Sequence, residues 1–269
     1  MLHERQAQIL RLLQQRPSMT TRQLAAAVYA SLPTVRRDLN ALESRGLIRR
    51  VHGGAALMEP SQRLEIPLLL RQGERTREKT QIARQALALI PAGSTLFLDA
   101  SSTAWQLARL LPRDQELTVI TNSLKAAALL CQRHIRAYIV GGLLNEDFLA
   151  SGGGYAEEMV RGLRVGLMFF SANALTADGE VMDFSESETK LRQAMFARAG
   201  RKYFLCDSSK IGQTSLHHLC WIDEVDGVLC EAPLPEPLAR RVGAQAAGDF
   251  DETGAQRLTD AACQGKIEG

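Results

Sequence analysis

Six short apolar runs constrain most of this chain: TLFLDA (95–100), LTVIT (117–121), AYIVGG (137–142), VGLMFF (165–170), KYFLCD (202–207) and VDGVLC (225–230). None alternates strictly between apolar and polar residues, so none reads as a strand with one wet face. Helical patterns lie between most of them, at 76–90, 103–111, 123–133, 155–163 and 185–199. Strands buried on both faces and joined by helices make a mostly parallel sheet covered on both sides. The spacing therefore predicts an α/β fold for residues 76–247.

Loops at the carboxyl ends of strands in an open parallel sheet line one crevice. Four such loops here are polar or glycine-rich: DASST (99–103), TNS (121–123), GG (141–142) and DSSK (207–210). Ser101, Ser102 and Thr103 stand between a strand and the start of a helix, where hydroxyls and unpaired N–H groups suit a phosphate. Lys210 offers a compensating positive charge. Asp99 and Asn122 carry groups that accept from and donate to sugar hydroxyls. Ser123, Gly141 and Gly142 complete the candidate effector set. For any one loop, Ser or Thr at a helix start is more often a cap than a ligand contact. Four loops in one topological position favour a site. Glu188 and Arg192, four apart on a helix with Lys190 between them, read equally as a surface pair or as the border of the pocket.

The first 58 residues differ in charge from the rest. They hold nine arginines, no lysine and three acids, a surplus of six positive charges in a chain whose net charge is +2. A basic head on a mildly acidic body suggests a nucleic-acid-binding module. Ile9, Leu10, Leu12 and Leu13 give a helical stripe that Pro17 ends, and Thr20 or Thr21 caps a second helix with Leu24, Ala25 and Val28 facing inward. Residues 31–52 then read SLPTVRRDLNALESRGLIRRVH. Ser31 is a good N-cap and Pro33 sits in the first turn, where its missing N–H costs nothing. Val35, Leu39 and Leu42 share one face, which leaves Thr34, Arg36 and Arg37 at the front. Asp38 either orients an arginine or faces solvent. Leu47–Val51 is β-rich and Gly53–Gly54 turns the chain back, completing a winged helix-turn-helix. Such modules place the start of the third helix on base edges. Ser31, Pro33, Thr34, Arg36 and Arg37 are thus the reading set, and Arg49, Arg50 and His52 hold phosphate. The alternative is a helix-turn-helix reused for protein contacts.

Residues 59–75, with Pro60, Pro67 and Gly73, read as a linker, and the tail 248–269 as disordered. The five cysteines, at 131, 206, 220, 230 and 263, form no CxxC pattern. An odd count without a signal peptide fits reduced thiols in a cytoplasm. His217 and His218 lack ligand partners at metal spacing, so no metal and no cofactor are expected. No window approaches 18 uninterrupted apolar residues, so no membrane span is expected. Trp105 and Trp221 read as packing residues.

The stretch S-x-x-T-V-R-R-D-L followed by L-x-x-x-G-L-I-x-R-x-H-G-G-A, from Ser31 through Ala55, resembles the DeoR family of bacterial sugar-metabolism regulators. D-x-x-S-T, I-T-N-S-L, V-G-G and L-x-D-S-S-K-x-G resemble its effector domain, so the likeness spans about residues 1–245. It implies a body similar in fold to ribose-5-phosphate isomerase and glucosamine-6-phosphate deaminase, which binds a phosphorylated sugar without turnover. The chain departs from the pattern at Tyr29–Ala30, at Ala100–Ser101, at Ser171–Asn173 and at Arg192, where a lysine is expected. The implied function is a DNA-binding regulator, a repressor of a carbohydrate operon. Half-site spacing makes a homo-oligomer, dimer or tetramer, the expected form. One alternative is a sugar-phosphate isomerase or deaminase with a fused head, with Asp99 or Glu188 as its general base. Another is a regulator without effector control that answers to a protein partner.

Overall fold

The computed structural model describes residues 4–44, 47–51, 53–57, 74–146 and 148–242. His52, most of the expected linker and the whole expected tail lie outside them.

The head runs α1 (Glu4–Gln15), β1 (Ser18–Thr20), α2 (Thr21–Ala27), α3 (Leu32–Ser44), β2 (Ile48–Val51) and β3 (Gly54–Leu57). The Thr20 side chain accepts from the Gln23 N–H while Gln23 reaches back to the Thr20 N–H, a reciprocal cap that starts α2. Ile9, Leu10, Leu13, Leu24, Val35, Leu39, Leu42, Leu47 and Ile48 are buried together. The wing is a hairpin of β2 and β3, and β1 adds antiparallel to β3. Three residues are too few for β1 to show a period-two pattern, so the sequence did not announce it. A Cβ at Gly54 would lie 2.2 Å from the Met19 carbonyl oxygen, so only glycine lets β1 and β3 approach there.

The body carries β4 (Thr95–Leu98), β5 (Thr118–Thr121), β6 (Arg136–Ile139), β9 (Val165–Phe170), β12 (Ala199–Leu205) and β14 (Gly227–Leu229) in one sheet of order β14-β12-β9-β4-β5-β6. All neighbours are parallel. Consecutive side chains explain the missing alternation. Leu96 and Leu98 pack beneath Ile82, Leu107 and Leu130, while Phe97 points to the other face with Val160, Leu191 and Met195. One face is thus covered by α4 (Thr76–Leu87), α5 (Ser102–Leu110) and α6 (Leu124–Gln132), the other by α7 (Gly154–Arg161) and α8 (Glu186–Arg198). The five helical patterns each correspond to one of these helices.

Counted in chain order, the strands run 6-5-4-1-2-3 across the sheet, the doubly-wound order, and the order reverses between β4 and β9. Two additions were not legible beforehand. β10 (Ala174–Leu175), β11 (Glu180–Asp183) and β13 (His217–Trp221) form a small antiparallel sheet. β7 (Leu143–Asn145) and β8 (Ala150–Gly152) form a hairpin beside β6. A final short helix, α9 (Glu236–Ala239), ends the described chain. No helix among the described residues is long and apolar enough to cross a membrane.

Candidate DNA-reading surface and effector crevice

On α3 the apolar stripe decides which way the front of the helix points. Val35, Leu39 and Leu42 have no exposed surface, so Ser31, Pro33, Arg36 and Arg37 are turned outward, with Thr34 partly so. The Ser31 hydroxyl lies 2.8 Å from the Thr34 hydroxyl and accepts from the Thr34 N–H at 3.4 Å. It therefore caps the helix and orients the first polar side chain of the reading face. Asp38 is buried rather than solvated, and Arg5 Nε donates to it at 2.6 Å. That pair fastens α1 to α3 and leaves Arg36 and Arg37 to point away.

In the wing Arg49 is exposed. Arg50 is not a free phosphate ligand. Its Nη1 donates to Asn40 at 2.9 Å and its Nε to the Gly54 carbonyl at 3.2 Å, while its N–H donates to Glu43. Arg50 thus ties the wing to α3 through two of its three guanidinium nitrogens, a structural role that the expected phosphate contact did not include. His52 lies outside the described residues.

In the body, all four polar loops follow parallel strands at the same end of the sheet. Two of the hydroxyls are caps. Ser101 accepts from the Ala104 N–H and starts α5, and Ser123 accepts from the Ala126 N–H and starts α6. Asp99 does not present itself to solvent. One oxygen accepts from the Ser101 hydroxyl at 2.6 Å and from its N–H, and the other accepts from the Ser171 N–H and from Arg192 Nε at 2.8 Å. Its carboxylate is committed to the protein, which overturns the expectation that it contacts a sugar hydroxyl directly.

Thr103 and Asn122 are different. Both residues are buried, and Thr103 Oγ1 and Asn122 Oδ1 have no hydrogen-bond partner. Asn122 Nδ2 is used, donating to the Ser151 carbonyl. Orphaned buried acceptors cost about 1–3 kcal/mol each unless something fills them. They lie at the starts of two adjacent helices, where first-turn N–H groups also point outward. Ser102 is buried beside them.

Lys210 sits in a one-turn 3-10 helix, Ser208–Lys210. Its ammonium donates to the Ser171 hydroxyl at 2.6 Å and lies 3.6 Å from Asp207. Ser171 and Asp99 follow β9 and β4, the two strands at the switch point. In the sequence Ser171 stands out only as a departure from the family pattern; in the structure it joins Asp99 to Lys210. Gly141 and Gly142 are exposed. Gly142 has φ +141°, and a Cβ there would meet the Gly152 carbonyl oxygen at 2.4 Å. Its positive φ and the close passage of β8 both require glycine there.

Arg192 is the largest surprise. Its side chain is 4% exposed and all three nitrogens are engaged: Nε with Asp99, Nη1 with Asp183 at 2.7 Å and Nη2 with Glu188 at 2.7 Å. Burial works against its charge, but the carboxylates of Asp183, Glu188 and Asp99 outweigh that and raise its pKa above the usual value. The surface-pair reading of Glu188 and Arg192 is overturned, whereas exposed Lys190 does pair with Glu186. Asp183 was missed, since its placement comes from the small antiparallel sheet. With Asp99 and Glu188 both salt-bridged to Arg192, neither is placed as a free general base. Trp105 lies beneath the Lys125 ammonium, and Trp221, 40% exposed, sits between His218 and Arg241 at the surface rather than in the core.

Comparison with known proteins agrees with this architecture. The DeoR-like helix-turn-helix domain matches residues 5–61, and the DeoR C terminal sensor domain matches residues 74–232. The lactose phosphotransferase system repressor of Staphylococcus aureus (strain N315) is 33% identical, covering 85% of this chain and 92% of that protein. The L-fucose operon activator of Haemophilus influenzae is 31% identical, covering 86% and 93%. Among solved structures, ribose 5-phosphate isomerase A of Methanocaldococcus jannaschii is 18% identical with a TM-score of 0.38, over 49% of this chain and 53% of that one. A winged head on a doubly-wound sensor body defines a DNA-binding transcriptional regulator. The chain belongs to the DeoR family.

Proposed function

We propose that the protein represses a carbohydrate-utilisation operon and that a phosphorylated sugar controls its grip on operator DNA. The observation that carries this reading is the outward set Ser31, Pro33, Thr34, Arg36 and Arg37, presented by a helix whose inner face is fully buried. Arg36 and Arg37 reach base edges or phosphates, and Arg49 on the wing holds the flanking backbone. The effector half is supported by the orphaned acceptors of Thr103 and Asn122 at two helix starts, with the Lys210 ammonium near the same switch point. A phosphate seated there meets N–H dipoles and one cation. Two relatives, a lactose phosphotransferase system repressor and an L-fucose operon activator, support the sugar-operon setting.

DNA selected from random fragments, followed by fluorescence anisotropy, tests the proposal. Affinity should fall on the order of 10³-fold or more between 50 and 200 mM salt if six or more phosphates are contacted. One member of a sugar-phosphate panel should shift that affinity, since effector and operator binding are linked reciprocally. No salt-dependent binding to any fragment would remove the operator reading. Operator binding indifferent to every sugar phosphate would remove the effector half and favour control by a protein partner.

A further inference from the structure

Helix α2 ends on a turn whose backbone favours glycine, and a tyrosine stands there. Past the last turn of the helix, the Tyr29 N–H donates to the Ala26 carbonyl at 3.4 Å and the Ala30 N–H to the Ala25 carbonyl at 3.0 Å. These two bonds close a Schellman turn, and Tyr29 is its left-handed residue, with φ 50°. Glycine is usual at that position because a Cβ crowds the neighbouring backbone in this conformation. The tyrosine side chain does not offset the cost. It is 96% exposed, the largest value among the exposed large hydrophobic residues described. A ring left almost wholly in water buries too little apolar surface to stabilise the turn. Strain held at an exposed side chain that does nothing for packing is a sign of function.

The surroundings of the turn indicate which function. From Val28 to Pro33 the side chains alternate. Val28, Ala30 and Leu32 pack on the core of the head, whereas Tyr29, Ser31 and Pro33 are exposed. Tyr29 therefore stands on the outward side, two residues before Ser31, whose hydroxyl caps α3 and orients Thr34. Residues 5–37 contain no acid, and Asp38 is buried against Arg5. The chain on either side of the turn thus brings no carboxylate to repel an anion.

We propose that Tyr29 is a contact to the DNA backbone: its phenol hydroxyl donates to a phosphate oxygen at the rim of the groove that α3 enters, and its ring lies against the adjoining deoxyribose. Helix-turn-helix modules put the first residues of the third helix on base edges, so the turn before them meets the wall of the groove, where the phosphates run. Tyrosine suits that wall, with an apolar ring for the sugar and a donor at its tip. The inference rests on the outward face of α3 being the face that meets DNA. It also carries a consequence that separates Tyr29 from the arginines. The hydroxyl is uncharged, so its bond to phosphate releases no condensed counterion. Tyr29 adds affinity for any sequence without adding to the salt dependence.

Fluorescence anisotropy on the full chain tests the contact, with a duplex that wild type selects from a random pool and a scrambled duplex of the same length. Tyr29→Phe should weaken binding to both duplexes by about 10-fold, the loss of one hydrogen bond to a charged group. The slope of log affinity against log salt should stay at its wild-type value. Tyr29→Gly should weaken binding further, on the order of 10²-fold, because the ring contact goes as well. Yet Tyr29→Gly should raise the melting temperature by about a few degrees, since glycine relaxes the left-handed turn. Affinity and stability moving in opposite directions mark a contact, because damage to the head lowers both. Wild-type affinity in both variants would overturn the proposal. So would a Tyr29→Phe loss confined to the selected duplex, which belongs to a base contact, or one that flattens the salt slope. A Tyr29→Gly chain that melts below wild type would overturn it too, since the ring would then serve the fold. Arg37→Ala keeps this contact distinguishable from the reading set. If Arg37→Ala weakens binding and the Tyr29 variants do not, only the Tyr29 contact fails. If the Tyr29 variants weaken it and Arg37→Ala does not, only the place of Arg37 in the reading set fails.

Discussion

Arg192→Met isolates the buried ionic cluster at the switch point. The guanidinium is fully enclosed and neutralises part of three carboxylates, at 2.8 Å from Asp99 and 2.7 Å from both Asp183 and Glu188. Methionine keeps much of the apolar volume but removes the cation bonded to all three. Breaking a buried pair from one side costs about 3–5 kcal/mol, because the remaining charge is stranded away from water. A body of this size loses roughly 2–4 °C per kcal/mol, so the melting temperature should fall by about 10 °C. Arg192→Lys keeps the charge but not the three-pronged geometry, and its loss should be smaller. Denaturant titration at pH 7 measures both. The reasoning makes a second demand: neutralising two stranded acids with Asp183→Asn and Glu188→Gln in the Arg192→Met background should recover part of the loss. A single variant within about 0.5 kcal/mol of wild type would refute the argument, because that is the effect of an ordinary surface change. A loss that Asp183→Asn and Glu188→Gln leave untouched would refute it too, since packing rather than charge would then be the cause.

Arg37→Ala should weaken operator binding and, if Arg37 reads a base, relax preference at one position by about 1–3 kcal/mol; Arg49→Ala should weaken all sequences alike and reduce the salt slope by about 1, as anisotropy against salt would show. Thr103→Val removes an unpartnered hydroxyl, so thermal melting of the free protein should be unchanged or slightly raised, while the roughly 2.7 kcal/mol added by a sugar phosphate at 100 times its Kd should vanish. Burial pushes Asp207 upward, but Lys210, the Ser209 hydroxyl, Lys79 and Arg75 together hold it below the ordinary carboxylate value. Its contribution to stability is therefore complete above about pH 4 and is lost as pH falls through the depressed value. Arg75→Ala should move the acid unfolding midpoint to higher pH, read by circular dichroism.

The parallel sheet was legible because VGLMFF and TLFL are apolar on both faces, as burial between two helical layers requires, although the edge run of β6 is largely exposed. The reading helix was legible because Val35, Leu39 and Leu42 fix its inner face and so its outer one. What was hidden is long-range. Arg192 and Asp99 are 93 residues apart, and nothing local distinguishes a buried guanidinium from one in a solvated i, i+4 pair. Asp183 joins them only because β11 pairs with β13, a short bulged ladder with no clean periodicity. Arg50 misled in the opposite direction. Its place in an arginine pair suggested phosphate, but Asn40 and the Gly54 carbonyl already hold two of its three guanidinium nitrogens. Ser101 and Ser123 show the same limit, since their hydroxyls cap helices while that of Thr103, two residues after Ser101, does not.

The turn that carries Lys210 also anchors the start of the body. Arg75 stands just before α4, in a left-handed backbone conformation at φ 49°. Its guanidinium lies 3.3 Å from Asp207 and 2.8 Å from Glu231, and donates to the Ser208 hydroxyl at 3.0 Å. Asp207 therefore faces Arg75 on one side and Lys210 on the other. An anion seated on Lys210 would bring negative charge close to buried Asp207, and like charges at such range repel appreciably. Arg75 belongs to the segment through which the head is joined, so the charge balance at one carboxylate bears on both the ligand and the point of attachment. Under the proposed effector reading, the two cations that flank this turn share one acid.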